Sequence, residues 1–195
     1  QKVKNITTRG RQKKTEIGIE IKPDMLEKLA KKTYLGLGSN LGNKKKNIEI
    51  AKFLLQQNSK FRILKTSSFY KTKSYPNYKD PFFLNIVIEG ETSLKPLDLF
   101  VFVKEIELKL GRKKTFKNAP RECDIDILDY DQKVFKIKNN NDFIYIPHPR
   151  LHQRNFVLLP LFEISKTWIY PKKNKKISDL LNSLGSNNLR TIKLT

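Results

Sequence analysis

Between residues 33 and 130 the spacing of apolar residues changes period in the order strand, helix, strand, strand, helix, strand, and this order constrains the fold more than any single motif. Tyr34, Leu35 and Leu37 form a short apolar run that stops at the turn Gly38-Ser39-Asn40-Leu41-Gly42. Asn43 is suited to cap a helix from about Lys44 to Gln57, with Ile48, Ala51 and Leu55 on one face. Phe61 to Thr72 and Phe82 to Glu91 are rich in β-forming residues and predict two strands joined by a turn-rich loop, Tyr75 to Pro81. Leu99, Val103, Ile106 and Leu110 recur at i, i+4, i+7 and i+11, which predicts a second helix from Pro96 to Gly111. A basic loop from Arg112 to Arg121 then feeds a strand from Cys123 to Tyr130.

That order predicts an α+β fold, a ferredoxin-like antiparallel sheet covered on one face by two helices. C-terminal additions follow: a polar, hairpin-like excursion from Asp131 to Asp142, a strand from Phe143 to Ile146, and helices over Gln153 to Phe162 and Ser178 to Leu184. Residues 1–32 differ in texture. They hold few large apolar residues, an alternating run Glu16-Ile17-Gly18-Ile19-Glu20-Ile21 and a short helical pattern from Pro23 to Lys32. They cannot bury enough surface to fold alone, so 1–32 is expected to be an appendage or linker and 33–195 the main domain.

The net charge of +21 raises nucleic acid as a partner, but 32 of the 40 basic residues are Lys and only 8 are Arg. Base-edge readout and bidentate phosphate contacts favour Arg, so neither nucleic acid nor membrane is the expected partner. The single cysteine, Cys123, permits no intrachain disulfide and no cysteine-based zinc site, which fits a reducing compartment. With no apolar run long enough to span a bilayer and a polar start, the expected location is cytoplasmic.

The sharpest local signal is Arg121-Glu122-Cys123-Asp124-Ile125-Asp126-Ile127-Leu128. On a strand, Cys123, Ile125 and Ile127 face the core while Asp124 and Asp126 project together, about 6–7 Å apart at the backbone. Two such like charges repel unless a hard cation joins them, and Mg²⁺ takes carboxylate oxygens at about 2 Å. Taken alone, the pair reads more readily as a solvated strand face than as a metal site. The cationic loop beside it, with Arg112, Lys113, Lys114, Lys117 and Arg121, favours a phosphate site, and the two arginines are the more telling because arginine is scarce here. No GxxxxGK[ST] or GxSxG run is present, and Gly36-Leu37-Gly38 lacks the third glycine of a dinucleotide fingerprint.

The stretch from Thr33 to about Leu194 resembles the 6-hydroxymethyl-7,8-dihydropterin pyrophosphokinases. The matching motifs are Gly38-Ser39-Asn40-Leu41-Gly42, Ser67-Ser68-Phe69-Tyr70-Lys71-Thr72, Phe83-Leu84-Asn85, Glu107 with Leu110-Gly111-Arg112, Pro120-Arg121 before Asp124-Ile125-Asp126-Ile127-Leu128, and Pro147-His148-Pro149-Arg150 running into Arg154-Asn155-Phe156-Val157-Leu158. The resemblance implies transfer of pyrophosphate from Mg-ATP to a pterin alcohol, giving AMP, in folate biosynthesis. It implies that Asp124 and Asp126 ligate two Mg²⁺, and that Arg112 and Arg121 act on the triphosphate. Glu107, Lys114, Lys117, Ile127, His148 and Arg154 are implied on the ATP side, and Thr72, Tyr75, Phe83, Asn85 and Phe156 on the pterin side. The partners expected are therefore these small molecules.

Four departures stand out: the loop between Arg112 and Arg121 is one residue short, Asn118 and Lys73 stand where the family often has Trp and Pro, and Pro149 replaces an aromatic residue. Lys2-Val3-Lys4 and residues 16–21 are similar to the last strands of dihydroneopterin aldolase, which implies fusion to another folate-pathway enzyme. The alternative from a different class is a ferredoxin-like RNA-binding module, though no RNP-type run is present.

Overall fold

The computed structural model describes residues 30–75, 77–113, 119–139 and 142–195. The expected 1–29 part of the appendage, with its alternating run, and Lys114, Phe116, Lys117 and Asn118 of the basic loop lie outside the described residues.

The main sheet is built from β1 (Lys31–Ser39), β2 (Phe61–Thr66), β3 (Tyr70–Thr72), β4 (Phe83–Thr92), β5 (Asp124–Tyr130) and the short β10 (Lys193–Leu194). Its order is β10-β3-β4-β1-β5, β2 also pairs with β4, and every pairing is antiparallel. Helices α1 (Lys44–Gln56) and α2 (Pro96–Lys109) complete the expected core order. The Asn43 side chain accepts from Lys46 N at 3.1 Å, which satisfies a donor at the α1 start as the sequence predicts. Ile48, Ala51 and Leu55 of α1 and Leu99, Val103 and Ile106 of α2 pack on Leu35, Leu37, Ile86, Ile88 and Ile125. Each of the buried Leu, Ile and Val side chains contributes roughly 1.5–3 kcal/mol by leaving water.

Two boundaries differ from expectation. Lys31 and Lys32 belong to β1 rather than to a helix, because they pair with Thr92 and Glu91 and Lys32 Nζ lies 3.1 Å from the buried Glu89 carboxylate. The strand expected from Phe61 to Thr72 is split into β2 and β3. Between them, Ser67 Oγ accepts from Val87 N at 2.9 Å, and Glu163 accepts from Ser68 N and Ser68 Oγ at 3.0 and 2.8 Å, so side chains replace part of the ladder.

The second sheet face is covered by the C-terminal additions. Beyond the hairpin of β6 (Phe135–Asn139) and β7 (Asp142–Ile146), a 3₁₀ turn (Leu151–Gln153) leads into α3 (Asn155–Ile164). β8 (Ile169–Tyr170), β9 (Lys175–Lys176), α4 (Ile177–Ser183) and α5 (Ser186–Leu189) follow. Tyr34, Val87 and Leu128 of the sheet pack here with Leu158, Leu161, Trp168 and Leu180. This cover removes the open sheet face on which an RNA-binding module would stack bases.

Asp129 is buried in this layer and accepts from Trp168 Nε1 at 2.6 Å and from Gln132 N and Nε2 at 2.9 and 2.6 Å. Burial pushes its carboxyl up to about 6, outweighing the donors. A raised folded-state value means that its stabilising contribution is full below about pH 4 and lost as pH rises through about 6. The parent should therefore gain up to about 3 kcal/mol over Asp129→Asn between pH 6 and pH 4, read from urea unfolding at each pH. A difference independent of pH would contradict this role.

Candidate functional site

The site begins with two residues that have no side chain. Gly36 of β1 lies opposite Val87 of β4 and Asp126 of β5, and Gly38 lies between Asn85 and Asp124 in the same two ladders. A Cβ on Gly38 would stand 3.0 Å from Asn85 Oδ1 and 3.5 Å from the Phe83 ring, so glycine leaves an open floor between the amide and the carboxylates. A cavity of about 670 Å³ occupies that floor, walled by Thr72, Tyr75, Phe83, Asn85 and Phe156. Asn85 Nδ2 donates to Thr72 Oγ1 at 3.0 Å and to Tyr70 O at 3.3 Å. Both amide donors are thus spent within the protein, and Oδ1 is the atom left to accept from a ligand.

A second cavity, of about 950 Å³, lies toward α2 and is lined by Leu41, Lys104, Glu107, Arg112 and His148 among others. Asp124, Asp126, Arg121, Arg150 and Arg154 line both cavities, so the two spaces meet along one seam. Four of the chain's eight arginines stand there, counting Arg112.

The expectation that the two carboxylates face each other unpaired is corrected by the structure. Asp124 Oδ1 accepts from Arg112 at 2.6 Å, its Oδ2 accepts from Arg121 at 2.9 Å, and Asp126 Oδ2 accepts from Arg154 at 3.0 Å. Arg112 also donates to Glu107, which is only 1% exposed and accepts from Lys104 Nζ at 2.7 Å and from Ile125 N at 2.6 Å. Burial pushes the Glu107 carboxyl up. Burial would do the same to Asp124, but Arg121, Lys104 and Arg112 together hold it below the usual carboxylate range. Burial likewise lowers the proton affinity of His148, whose Nδ1 accepts from Arg150 N at 3.1 Å, leaving Nε2–H as the donor available to a ligand.

The loops around the seam are tied to the end of β1 by Asn40, buried in the glycine turn. Its Oδ1 accepts from Arg121 N at 2.8 Å and its N–H donates to Arg121 O at 3.2 Å, while Nδ2 reaches Ser74 Oγ at 3.3 Å and Pro81 O at 3.4 Å. One amide therefore fixes both the end of the basic loop and the loop that carries Tyr75.

The residues expected on the nucleotide side, Glu107, His148 and Arg154, meet at the larger cavity with Arg112, Arg121, Asp124 and Asp126. Those expected on the pterin side, Thr72, Tyr75, Phe83, Asn85 and Phe156, meet at the smaller one. Ile127 is not brought to either: its side chain turns to the opposite sheet face and packs under the helices. Lys114 and Lys117 lie outside the described residues. Sequence reading gave no role to Asn40, Tyr78, Arg150 or Gln153. Arg150 was findable by the same signal as Arg112 and Arg121, a scarce arginine within a matching motif.

Asp124 and Asp126 suit a hard divalent cation because both carboxylates line both cavities where the two spaces meet. Among the described residues no cluster of three or more His, Cys, Asp or Glu side chains supplies a complete cage. That donor set fits Mg²⁺, which commonly takes one or two carboxylates and completes its shell with water and substrate phosphates.

The model of the 7,8-dihydro-6-hydroxymethylpterin-pyrophosphokinase (HPPK) family matches residues 34–166. A 2-amino-4-hydroxy-6-hydroxymethyldihydropteridine pyrophosphokinase of Aquifex aeolicus is 38% identical over 146 residues, 75% of this chain and 88% of that protein. Folic acid synthesis protein FOL1 of Dictyostelium discoideum is 41% identical over 138 residues, 71% of this chain but 20% of that much longer protein. The bifunctional protein FolKE of Lactococcus lactis is 36% identical over 163 residues, 83% of this chain and 45% of that one. Among solved structures, Plasmodium falciparum HPPK-DHPS with pteroate superposes with a TM-score of 0.68 at 18% identity, over 85% of this chain and 46% of that chain. This chain thus spans about half the length of that structure, and at such identity the likeness shows the fold.

The arginine pairing sets the sign of a stability test. Asp124 is held below its ordinary range, so its contribution is present above about pH 4 and lost as pH falls through the lowered value. Asp124→Asn leaves Arg121 without a carboxylate partner and Arg112 with Glu107 alone, and should cost roughly 2 kcal/mol at pH 7, a fall of about 4–8 °C in melting temperature for a chain of this size. It should also abolish the stabilisation that Mg²⁺ with an ATP analogue gives the parent. Equal melting temperatures of parent and variant without ligands would contradict the pairing.

Proposed function

The chain belongs to the 7,8-dihydro-6-hydroxymethylpterin-pyrophosphokinase family, and from that premise we propose that it transfers pyrophosphate from Mg-ATP to 6-hydroxymethyl-7,8-dihydropterin, releasing AMP, in folate biosynthesis. The observation that carries this reading is the shared seam: two cavities, each large enough for one substrate, open onto the same pair of carboxylates and the same arginines.

The flat heterocycle lies in the smaller cavity between Phe83 and Phe156, with Asn85 Oδ1 accepting from its amino or ring N–H edge. Arg121 sits 5.5 Å from the Phe83 ring centroid and Arg154 5.5 Å from that of Phe156, so each aromatic wall carries a guanidinium beside it. The slot is therefore apolar along the ring and positive at the seam, where the hydroxymethyl arm meets the phosphates. The nucleotide lies in the larger cavity, where His148 offers its Nε2–H.

Asp124 and Asp126 would hold two Mg²⁺, which would supply positive charge to offset that on the transferred group. As the triphosphate arrives, Arg112 and Arg121 can exchange their carboxylate for phosphate oxygens, a swap between anions that desolvates no unpaired charge. Glu107 keeps hold of Arg112 through the exchange. Phosphoryl transfer asks chiefly for alignment and charge stabilisation, and these residues supply both.

The reading extends to location and context. Among the described residues no helix is long and apolar enough to cross a membrane. Burial pushes the Cys123 thiol up to about 12, so it is inert. A cytoplasmic location is part of this proposal, supported by the single free cysteine, which suits a reducing compartment. The catalytic unit in this reading starts with β1 at Lys31, and the residues before it are an appendage, the end of a fused upstream folate-pathway module; that one relative is a bifunctional protein supports fusion as such.

An assay of nucleotide products tests the reaction. AMP should appear in step with pterin consumption and only when the pterin alcohol is present. ADP appearing instead would sink pyrophosphoryl transfer while leaving simple kinase chemistry.

A further inference from the structure

Three of the four arginines at the seam are already committed: Arg112 to Glu107 and Asp124, Arg121 to Asp124, and Arg154 to Asp126. The fourth is different. Arg150, in the segment between β7 and the 3₁₀ turn, is exposed and lines both cavities. Its backbone N–H is used by His148 Nδ1, but its guanidinium makes no ion pair or hydrogen bond among the described residues. Its nearest charged company is unfavourable. Arg150 acts on both Arg154 and His148 as a like charge, and Asp126, the acidic group beside them, is already held by Arg154.

A cation left facing another cation at the meeting of two cavities is an anion site waiting for its anion. The other arginines must first break a carboxylate pair to receive a phosphate. Arg150 breaks nothing. Its reach over both cavities also means that it need not let go when the transferred group passes from one to the other.

We propose that Arg150 is a phosphate-binding residue that receives the polyphosphate of the incoming nucleotide and remains on the transferred diphosphate in the product. This deepens the pyrophosphokinase reading and rests on it for the identity of the two phosphate ligands. A planar guanidinium suits the task because it grips two oxygens at once, and it keeps its charge at any pH the enzyme meets.

The test measures binding to the parent, Arg150→Ala and Arg150→Lys by calorimetry, in Mg²⁺ with a non-hydrolysable ATP analogue, with inorganic tripolyphosphate, with the pterin diphosphate and with the pterin alcohol. Arg150→Ala should weaken all three phosphate ligands about tenfold, a loss that shrinks as salt is raised. It should leave the pterin alcohol unaffected and raise the KM for Mg-ATP by a similar factor, and Arg150→Lys should recover part of the loss. Unchanged phosphate affinity in Arg150→Ala would overturn the proposal, and so would an equal loss of pterin alcohol affinity, which marks a merely structural role. If the parent binds tripolyphosphate yet releases no AMP with the pterin alcohol, the pyrophosphokinase reading fails while the tripolyphosphate series still decides the role of Arg150.

Discussion

The Asp124 side of the seam hangs from one buried carboxylate. Glu107 sits on α2 with almost no access to water, and a charge in that position is tolerable only if its lone pairs are met by donors. Lys104, Arg112 and the Ile125 backbone N–H meet them, so the helix, the start of the basic loop and β5 are locked to one another by the same group. Arg112 in turn reaches Asp124, and Asp124 reaches Arg121. The chain of alternating charges runs from the helix layer through the sheet edge to the mouth of both cavities.

The second constraint is the absence of side chains along β1. Antiparallel pairing places Asn85, Gly38 and Asp124 in one row across three strands, and Val87, Gly36 and Asp126 in the next. Any larger residue at Gly38 would press on the Asn85 amide and close the space between the heterocycle slot and the carboxylates. Covering the rest of that face with α3 and α4 turns an open sheet into a walled cleft. Family membership and geometry thus both support the proposed two-substrate site, with the shared carboxylates and arginines between the two cavities.

Much of this was legible in the sequence where the signal is local and periodic. The cap at Asn43, the apolar stripe of α2 and the alternation that separates Asp124 and Asp126 from Ile125 all depend on neighbours within a turn or a strand. What escaped depends on distant partners. The break at Ser67 comes from Glu163, Lys32 joins the sheet because Glu89 draws it there, and the arginine pairing of Asp124 needs a loop to fold back on a strand. Ile127 was placed with the nucleotide by its motif, although its own parity on the strand assigns it to the core. Arg150 sat in a quoted motif without a role, since nothing in a linear sequence says which arginines will find carboxylates.

The central claim is that the two cavities take one substrate each and that transfer occurs across the seam of Asp124 and Asp126. A crystal structure of the protein with Mg²⁺, a non-hydrolysable ATP analogue and the pterin alcohol tests it most directly. The account predicts the pterin ring between Phe83 and Phe156, its hydroxymethyl oxygen facing the β-phosphorus, and both carboxylates on metal with Arg112 and Arg121 turned to phosphate. Both substrates in one cavity, or phosphates away from carboxylates still paired with arginine, would contradict it.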